Sequence, residues 1–304
     1  MTPGVLGLAP PPPGRQVRVM GILNVTPDSF SDGGLFAAAD AAIAHGMAMH
    51  AAGAELVDVG GESTRPGAHR VEVDVERARV VPVIAALSRA GVPCSVDTTR
   101  AVVARAAAEA GAALINDVSG GLADPAMASV VADCGLPWVL MHWRAHSATM
   151  TDYARYDDVV ADVRSELSAR VDAALAAGVR LDALVLDPGL GFAKRAEHNW
   201  ALLRRLPVLL GLGLPMLIGA SRKRFLPDSG HPEGSAADVR SRDLATAAVT
   251  TAVAAHAIWG VRVHDVEGSL RAAEVAAALV GVGDPAAPPV GPAEAFPAAR
   301  TASV

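Results

Sequence analysis

The chain has 304 residues, 51% of them hydrophobic and only 4% aromatic, so its core must be built mainly from Ala, Val, Leu and Ile. That composition suits one α/β domain of the barrel size class, roughly 250 residues plus tails. The net charge of -6 argues against nucleic-acid and anionic-membrane partners, which favour a basic face, and Gly, Pro and charges interrupt every apolar run before it could span a membrane.

In chain order, residues 1–15 (MTPGVLGLAPPPPGR) lack the basic and apolar regions of a secretory signal and read as a disordered, proline-rich tail. The first strand, 17–23, breaks off into NVTPDSFSDGG, whose residues favour turns and carry polar groups that need partners. Asn24 belongs to a fixed rim, whereas 26–34 read as a flap that orders when substrates bind. Seven further strands are expected at 55–60, 93–97, 113–118, 137–141, 183–187, 215–220 and 260–265. Helical stretches at 38–52, 73–90, 100–110, 124–134, 156–177, 195–205, 239–258 and 267–280 alternate with them, several stopped by a glycine such as Gly53 or Gly135. Eight βα units predict a (β/α)8 TIM barrel over 16–281, with a doubly wound open sheet as the structural alternative. Residues 282–304 return to Pro and Ala and read as a second disordered tail. Cys94 and Cys134 lack CxxC spacing and read as small buried hydrophobes of a chain kept in a reducing cytoplasm.

Polar residues fall where those strands end. Asn24, Asp58, Asp97, Asn116, His142, Asp187, Ser221 with Lys223, and Arg262 with His264 all stand at or just past a strand's C-terminal end, where a barrel's active site forms. Helix capping accounts for any one Asp or Asn among them, but not for the cations on the same rim. Asp97, Asn116 and Asp187 end three strands, and their acceptors and donors match the edge of an aminopyrimidinone ring. Lys223 adds a point charge for a ring carbonyl and an alkyl stem for its face. For each carboxylate the structural alternative is a buried Asp neutralised by an Arg or Lys. Asn24, Arg262 and His264, on the first and last strands, suit a phosphate or pyrophosphate, and the Asn24 amide oxygen suits Mg²⁺. GGESTRPGA at 60–68 supplies a second polar loop that presents Ser63, Thr64 and Arg65 to the mouth.

The motifs MGILNVTPDSFSDGG, DVGGESTRPGA, SVDT, INDVSGG, LMHWR, LDPGLGFAK, IGASRKRFL and RVHDV, in this order, resemble those of the dihydropteroate synthases, most closely the actinobacterial ones. The resemblance covers about residues 16–281 and leaves both tails outside. It implies a transferase of folate biosynthesis that joins para-aminobenzoate to a hydroxymethyl-dihydropterin pyrophosphate, releasing pyrophosphate, with Mg²⁺. Carried over by motif, it implies that Asp97, Asn116, Asp187 and Lys223 hold the pterin while Met141, Gly191 and Phe192 line its pocket. It also implies that Asn24 ligates the metal, and that Thr64, Arg65, Arg262 and His264 attend the pyrophosphate. Phe30, Pro66, Ser221 and Arg222 match positions around the aminobenzoate, for which sulfonamides are expected to compete. A cytoplasmic homodimer is the family expectation. Trp143 and Arg144 depart from the Met-Gln of many members. Two other readings share the barrel: a corrinoid-linked pterin methyltransferase, which would not need the NVTPDSFSDGG, SRKR or RVHD motifs, and an inactive paralogue serving as a binding protein.

Overall fold

Eight parallel strands surround one axis: β1 (Arg18–Asn24), β2 (Leu56–Gly60), β3 (Cys94–Asp97), β4 (Leu114–Asp117), β5 (Trp138–Met141), β6 (Leu184–Asp187), β7 (Leu217–Ile218) and β8 (Gly260–Val263). This computed structural model describes residues 5, 7–25, 34–63, 70–146, 148–227 and 230–282, with the backbone alone for 34–37. The strands pair in the order β6-β5-β4-β3-β2-β1-β8-β7, and a parallel bridge from Leu186 to Met216 brings β6 to the segment entering β7. The ring is therefore a (β/α)8 barrel rather than an open sheet.

Helices α1 (Gly34–Ala51), α2 (Val73–Arg89), α3 (Ala101–Glu109), α4 (Met127–Cys134), α5 (Val159–Ala176), α6 (Ala196–Arg204), α7 (Leu206–Leu210), α8 (Ala236–Ala254) and α9 (Val266–Leu279) lie between and after the strands. Side chains alternate along each strand, so one set faces the helices and the other the axis. Val19, Val57, Val96, Ile115, Leu140, Leu186, Ile218 and Val261 join the strand–helix core. Met20, Leu56, Leu114, Val139, Val185 and Leu217 form a separate inner cluster with Trp259 and Val5. Both faces of the sheet are buried, which is why the strands read as apolar runs rather than an alternating pattern.

Helices α5 and α8 start at side-chain caps. Asp158 caps α5, accepting from Val160 N at 2.9 Å and Ala161 N at 3.2 Å, so the helix starts later than the expected 156. Ser235 caps α8 through Asp238 N, so the helix starts at Ala236 rather than at the expected 239. Gly135 closes α4 at φ 65, as its place after the helical run predicts. The short α7, with its proline in the first turn, was not anticipated, because five residues are too few to show a helical period.

Of the 1–15 segment, residues 5 and 7–15 are described, and several of them meet the barrel. Val5 is 5% exposed and packs with Leu8 against the inner cluster, Arg18 bonds to the Ala9 carbonyl, and Arg15 pairs with Glu55. The end of the barrel opposite the site would otherwise expose its apolar filling to water, and these residues cover it. The 283–304 part of the other tail lies outside the described residues, as do 26–33 of the expected flap and 64–69 of the second loop. No described helix is long and apolar enough to cross a membrane.

Candidate active site

The register of the strands decides which polar residues meet. Asn24 pairs with Gly60, Gly60 with Asp97, and Asp97 with Asn116, so four neighbouring strands put these positions in one row at their C-terminal ends. Met141 and Asp187 are partners in the same way on β5 and β6. A β-carbon on Gly60 would stand 3.6 Å from Asp97 Oδ2 and 3.8 Å from Asn24 Oδ1, so the glycine leaves these two groups facing one space. Across the barrel, a β-carbon on Gly219 would stand 3.7 Å from Asp187 Oδ2, 3.8 Å from Lys223 Nζ and 4.0 Å from Arg262 Cβ. Gly219 is the point on which the carboxylate, the amine and the arginine converge.

Asp58, mid-strand and fully buried, is the hub beneath that row. It accepts from Ser95 Oγ at 2.6 Å, Asn116 Nδ2 at 2.8 Å and Arg262 Nε at 2.6 Å, while Arg262 Nη2 donates to Asp97 Oδ2 at 2.7 Å. The bond to Asp58 turns the Asn116 amide nitrogen downward, which leaves its carbonyl oxygen to accept from a ligand. Sequence reasoning placed Asp58 on the rim with no role and missed Ser95. The available signal was alternation, since both residues share the inward face with Asp97 and Asn116.

Arg262 was grouped with the pyrophosphate; its guanidinium here bridges Asp58 and Asp97, because a fully buried carboxylate requires a cation close by. The neutralised-Asp alternative thus describes part of the arrangement. Burial pushes the Asp97 carboxyl up to about 7, opposed by Arg262 and reinforced by Asp58. Asp187 is also raised by burial, against Lys223 and a 2.7 Å bond from Gly189 N. Lys223 is pulled down to about 8 by burial, against Asp187. Its Nζ donates to the Leu190 carbonyl and stands 4.7 Å from the centre of the Phe192 ring. Gly191, at φ 79, has no room for a side chain because a β-carbon would meet Lys223 Cδ at 2.9 Å. Gly191 and Phe192 therefore wall the same space as Lys223, and Met141 ends its strand 3% exposed beside Asp187.

The other rim residues are more dispersed. Ser221 Oγ lies 2.9 Å from His264 Nδ1 and accepts from His264 N at 3.1 Å, which ties the ends of β7 and β8 together. Arg222, at φ 55, turns its guanidinium to Asp243 on α8 at 2.7 and 2.9 Å. Arg144 turns outward to Glu166 and lies 3.9 Å from the centre of the Tyr156 ring, while Trp143 meets His146 edge-on at 4.9 Å. Phe30, Thr64, Arg65 and Pro66 lie outside the described residues. Among the described residues no group of three or more His, Cys, Asp or Glu could hold a metal. Asn24 offers one amide oxygen at the mouth, which fits Mg²⁺ bound chiefly by ligand oxygens and water.

Residues 20–264 match the family described as pterin binding enzyme. The chain is 55% identical over 269 residues to the dihydropteroate synthase of Mycobacterium leprae, covering 88% of this chain and 95% of that protein. Among solved structures it resembles the Xanthomonas albilineans dihydropteroate synthase with 4-aminobenzoic acid (44% identity, TM-score 0.79, 86% of this chain and 93% of that one). It also resembles the Yersinia pestis dihydropteroate synthase in a sulfonamide drug complex (39% identity, TM-score 0.81, 92% and 99%). With eight matching strands, a buried donor–acceptor row and this coverage, the chain belongs to the pterin-binding enzymes, as a transferase of the dihydropteroate synthase type.

Proposed function

We propose that the row from Asn24 to Asn116, with Asp187, Lys223 and Arg262 opposite, holds the dihydropterin pyrophosphate for attack by para-aminobenzoate. The observation that carries this is the convergence at Gly219, where Asp187, Lys223 and Arg262 face one space at the barrel mouth. Asp187 and Asn116 accept from the ring's N–H edge, Lys223 donates to the ring carbonyl, and Phe192 and Met141 pack on its faces. Asn24 and His264 face the pyrophosphate, to which Thr64 and Arg65 are assigned by their motif, and Arg262 serves both halves through its position between them. Ser221 is assigned to the aminobenzoate, as are Phe30 and Pro66 by their motifs. Arg222 supports that pocket through its pair with Asp243.

In the reaction the methylene C–O bond breaks and pyrophosphate leaves with the electron pair. The cation left on the methylene is conjugated with the electron-rich pterin. Asp97, ionised, stabilises it electrostatically, and the neutral aniline nitrogen then forms the new C–N bond and loses its proton. Asn24 would hold Mg²⁺, which supplies charge neutralisation to the leaving pyrophosphate. Water at the mouth would capture the cation, so its exclusion is part of the site's work. A sulfonamide, with the outline of aminobenzoate, competes for the second pocket. The free cysteines fit a reducing cytoplasm. Exposed Leu244, Val275 and Leu279 on α8 and α9 fit an apolar contact between two copies, in keeping with a homodimer.

The test is turnover by purified protein with synthetic dihydropterin pyrophosphate, Mg²⁺ and para-aminobenzoate, following pyrophosphate and dihydropteroate together. Asp97→Asn and Lys223→Ala are each expected to lower kcat/KM by about a hundredfold or more. Undiminished rates in these variants would remove the site assignment, and no turnover in the parent protein would remove the reaction.

A further inference from the structure

Behind the pterin wall lies a buried charged chain that the reaction above leaves unused. Lys194 Nζ has three acceptors around it: His142 Nδ1 at 2.8 Å, the Gly189 carbonyl at 3.0 Å and the Phe192 carbonyl at 3.1 Å. On the far side of the imidazole, His142 Nε2 stands 3.0 Å from Glu166 Oε2, which also pairs with Arg144. A carboxylate can only accept, so Nε2 carries the ring proton and Nδ1 of the neutral ring is an acceptor. Burial, and next the Lys194 charge, hold the His142 imidazole down to about 4, in keeping with that tautomer. Three acceptors call for three donors, the complement of an ammonium. Burial pulls the Lys194 ammonium well below its usual range, and Asp187 opposes that pull.

The loop that Lys194 grips is held in a conformation it would not choose alone. Gly189, at φ 66, lies so close to β5 that a β-carbon would meet the His142 carbonyl at 2.2 Å. Ala193, not a glycine, sits at φ 48, with its carbonyl accepting from Tyr156 Oη at 3.0 Å. Backbone of this kind persists where its surroundings over-determine it. The front of the same loop carries Leu190, Gly191 and Phe192, which contact Lys223. One loop thus has a structural lysine behind it and a ligand-facing lysine in front.

We propose that Lys194 is a positioning residue for the dihydropterin site: it ties the backbone of Gly189 and Phe192 to His142, and so sets the wall against which the pterin ring and Lys223 are placed. The inference rests on the reading of that wall as the pterin pocket. It selects for the first substrate alone, since aminobenzoate is assigned to the other side of the mouth.

The experiment compares parent protein, Lys194→Met and Glu166→Gln in steady-state assays that vary each substrate separately. Turnover by the parent tests the functional reading; the split between the two KM values in the variants tests Lys194. Lys194→Met is expected to raise KM for the dihydropterin pyrophosphate about tenfold, with KM for aminobenzoate changed less than about twofold. An NMR titration of His142, which is faced by Lys194, Glu166, Arg144 and the Tyr156 ring, reads the contact without catalysis. In Lys194→Met its imidazole titrates at a higher pH than in the parent. Glu166 is 40% exposed, so Glu166→Gln keeps the fold if Lys194→Met does not, and it should raise the same KM by a smaller factor. Equal rises in both KM values, or an unchanged pterin KM in the variant that folds, overturns the proposal, as does an unmoved His142 titration in a folded Lys194→Met.

Discussion

At the scale of single residues, charge state governs the site. On the proposed reading Asp97 is ionised when it faces the developing cation, and its carboxyl, raised by burial to about 7, loses its proton only as the pH passes that value. On the same reading Lys223 keeps its proton to bind a ring carbonyl, and burial limits that to pH below about 8. The expected kcat/KM profile is therefore a bell that rises through the first value and falls through the second. Asp58 shares its arginine with Asp97, and its negative charge helps to raise the Asp97 carboxyl. Asp58→Asn removes that negative neighbour and is expected to move the acid limb to lower pH; an unmoved limb would break the link between the two. The placing of Asp97, Asn116 and Asp187 at strand ends was legible in the sequence because each is preceded by apolar residues, and that of Lys223 because it lies just beyond such a run. Asp58 was not given its role, because only register shows that Ser95, Asn116 and Arg262 reach it from three other strands.

At the scale of elements, the loop of residues 188–194 is held from both sides and has no slack. Gly189→Ala places a β-carbon against the His142 carbonyl and forces a left-handed backbone on alanine. It is expected to cost about 2 kcal/mol or more in denaturant unfolding, and to weaken pterin binding through the displaced Gly191 and Phe192. A variant with unchanged stability would mean that the loop can relax away from β5. Strand and helix positions were largely legible, since eight short apolar runs and eight Ala-rich helical stretches alternate along the chain. Boundaries were less so: β7 contracts from the expected 215–220 to Leu217–Ile218. Its first residues pair elsewhere, with Met216 bridging to Leu186 and its carbonyl accepting from Trp259 N at 2.8 Å.

For the whole molecule, the two ends of the barrel do different work. One end gathers charge, while the other is sealed by Val5, Leu8 and Trp259 over the inner cluster. Val5→Asp puts a charge into that seal and is expected to cost about 2 kcal/mol, about 5 °C in Tm, with kcat within about twofold of the parent. A large loss of kcat at unchanged stability would show that the seal communicates with the site. The sequence by itself determined the barrel, the family and the gathering of polar residues at strand ends, because apolar runs, turn composition and motif order are local properties of the chain. Only the tertiary structure decided that Arg262 is shared by Asp58 and Asp97, that Lys194 grips His142, and that part of a proline-rich stretch closes the barrel. Those are pairings between residues far apart in the chain, fixed by the register of neighbouring strands and by the cost of burying a charge or an apolar surface without its partner.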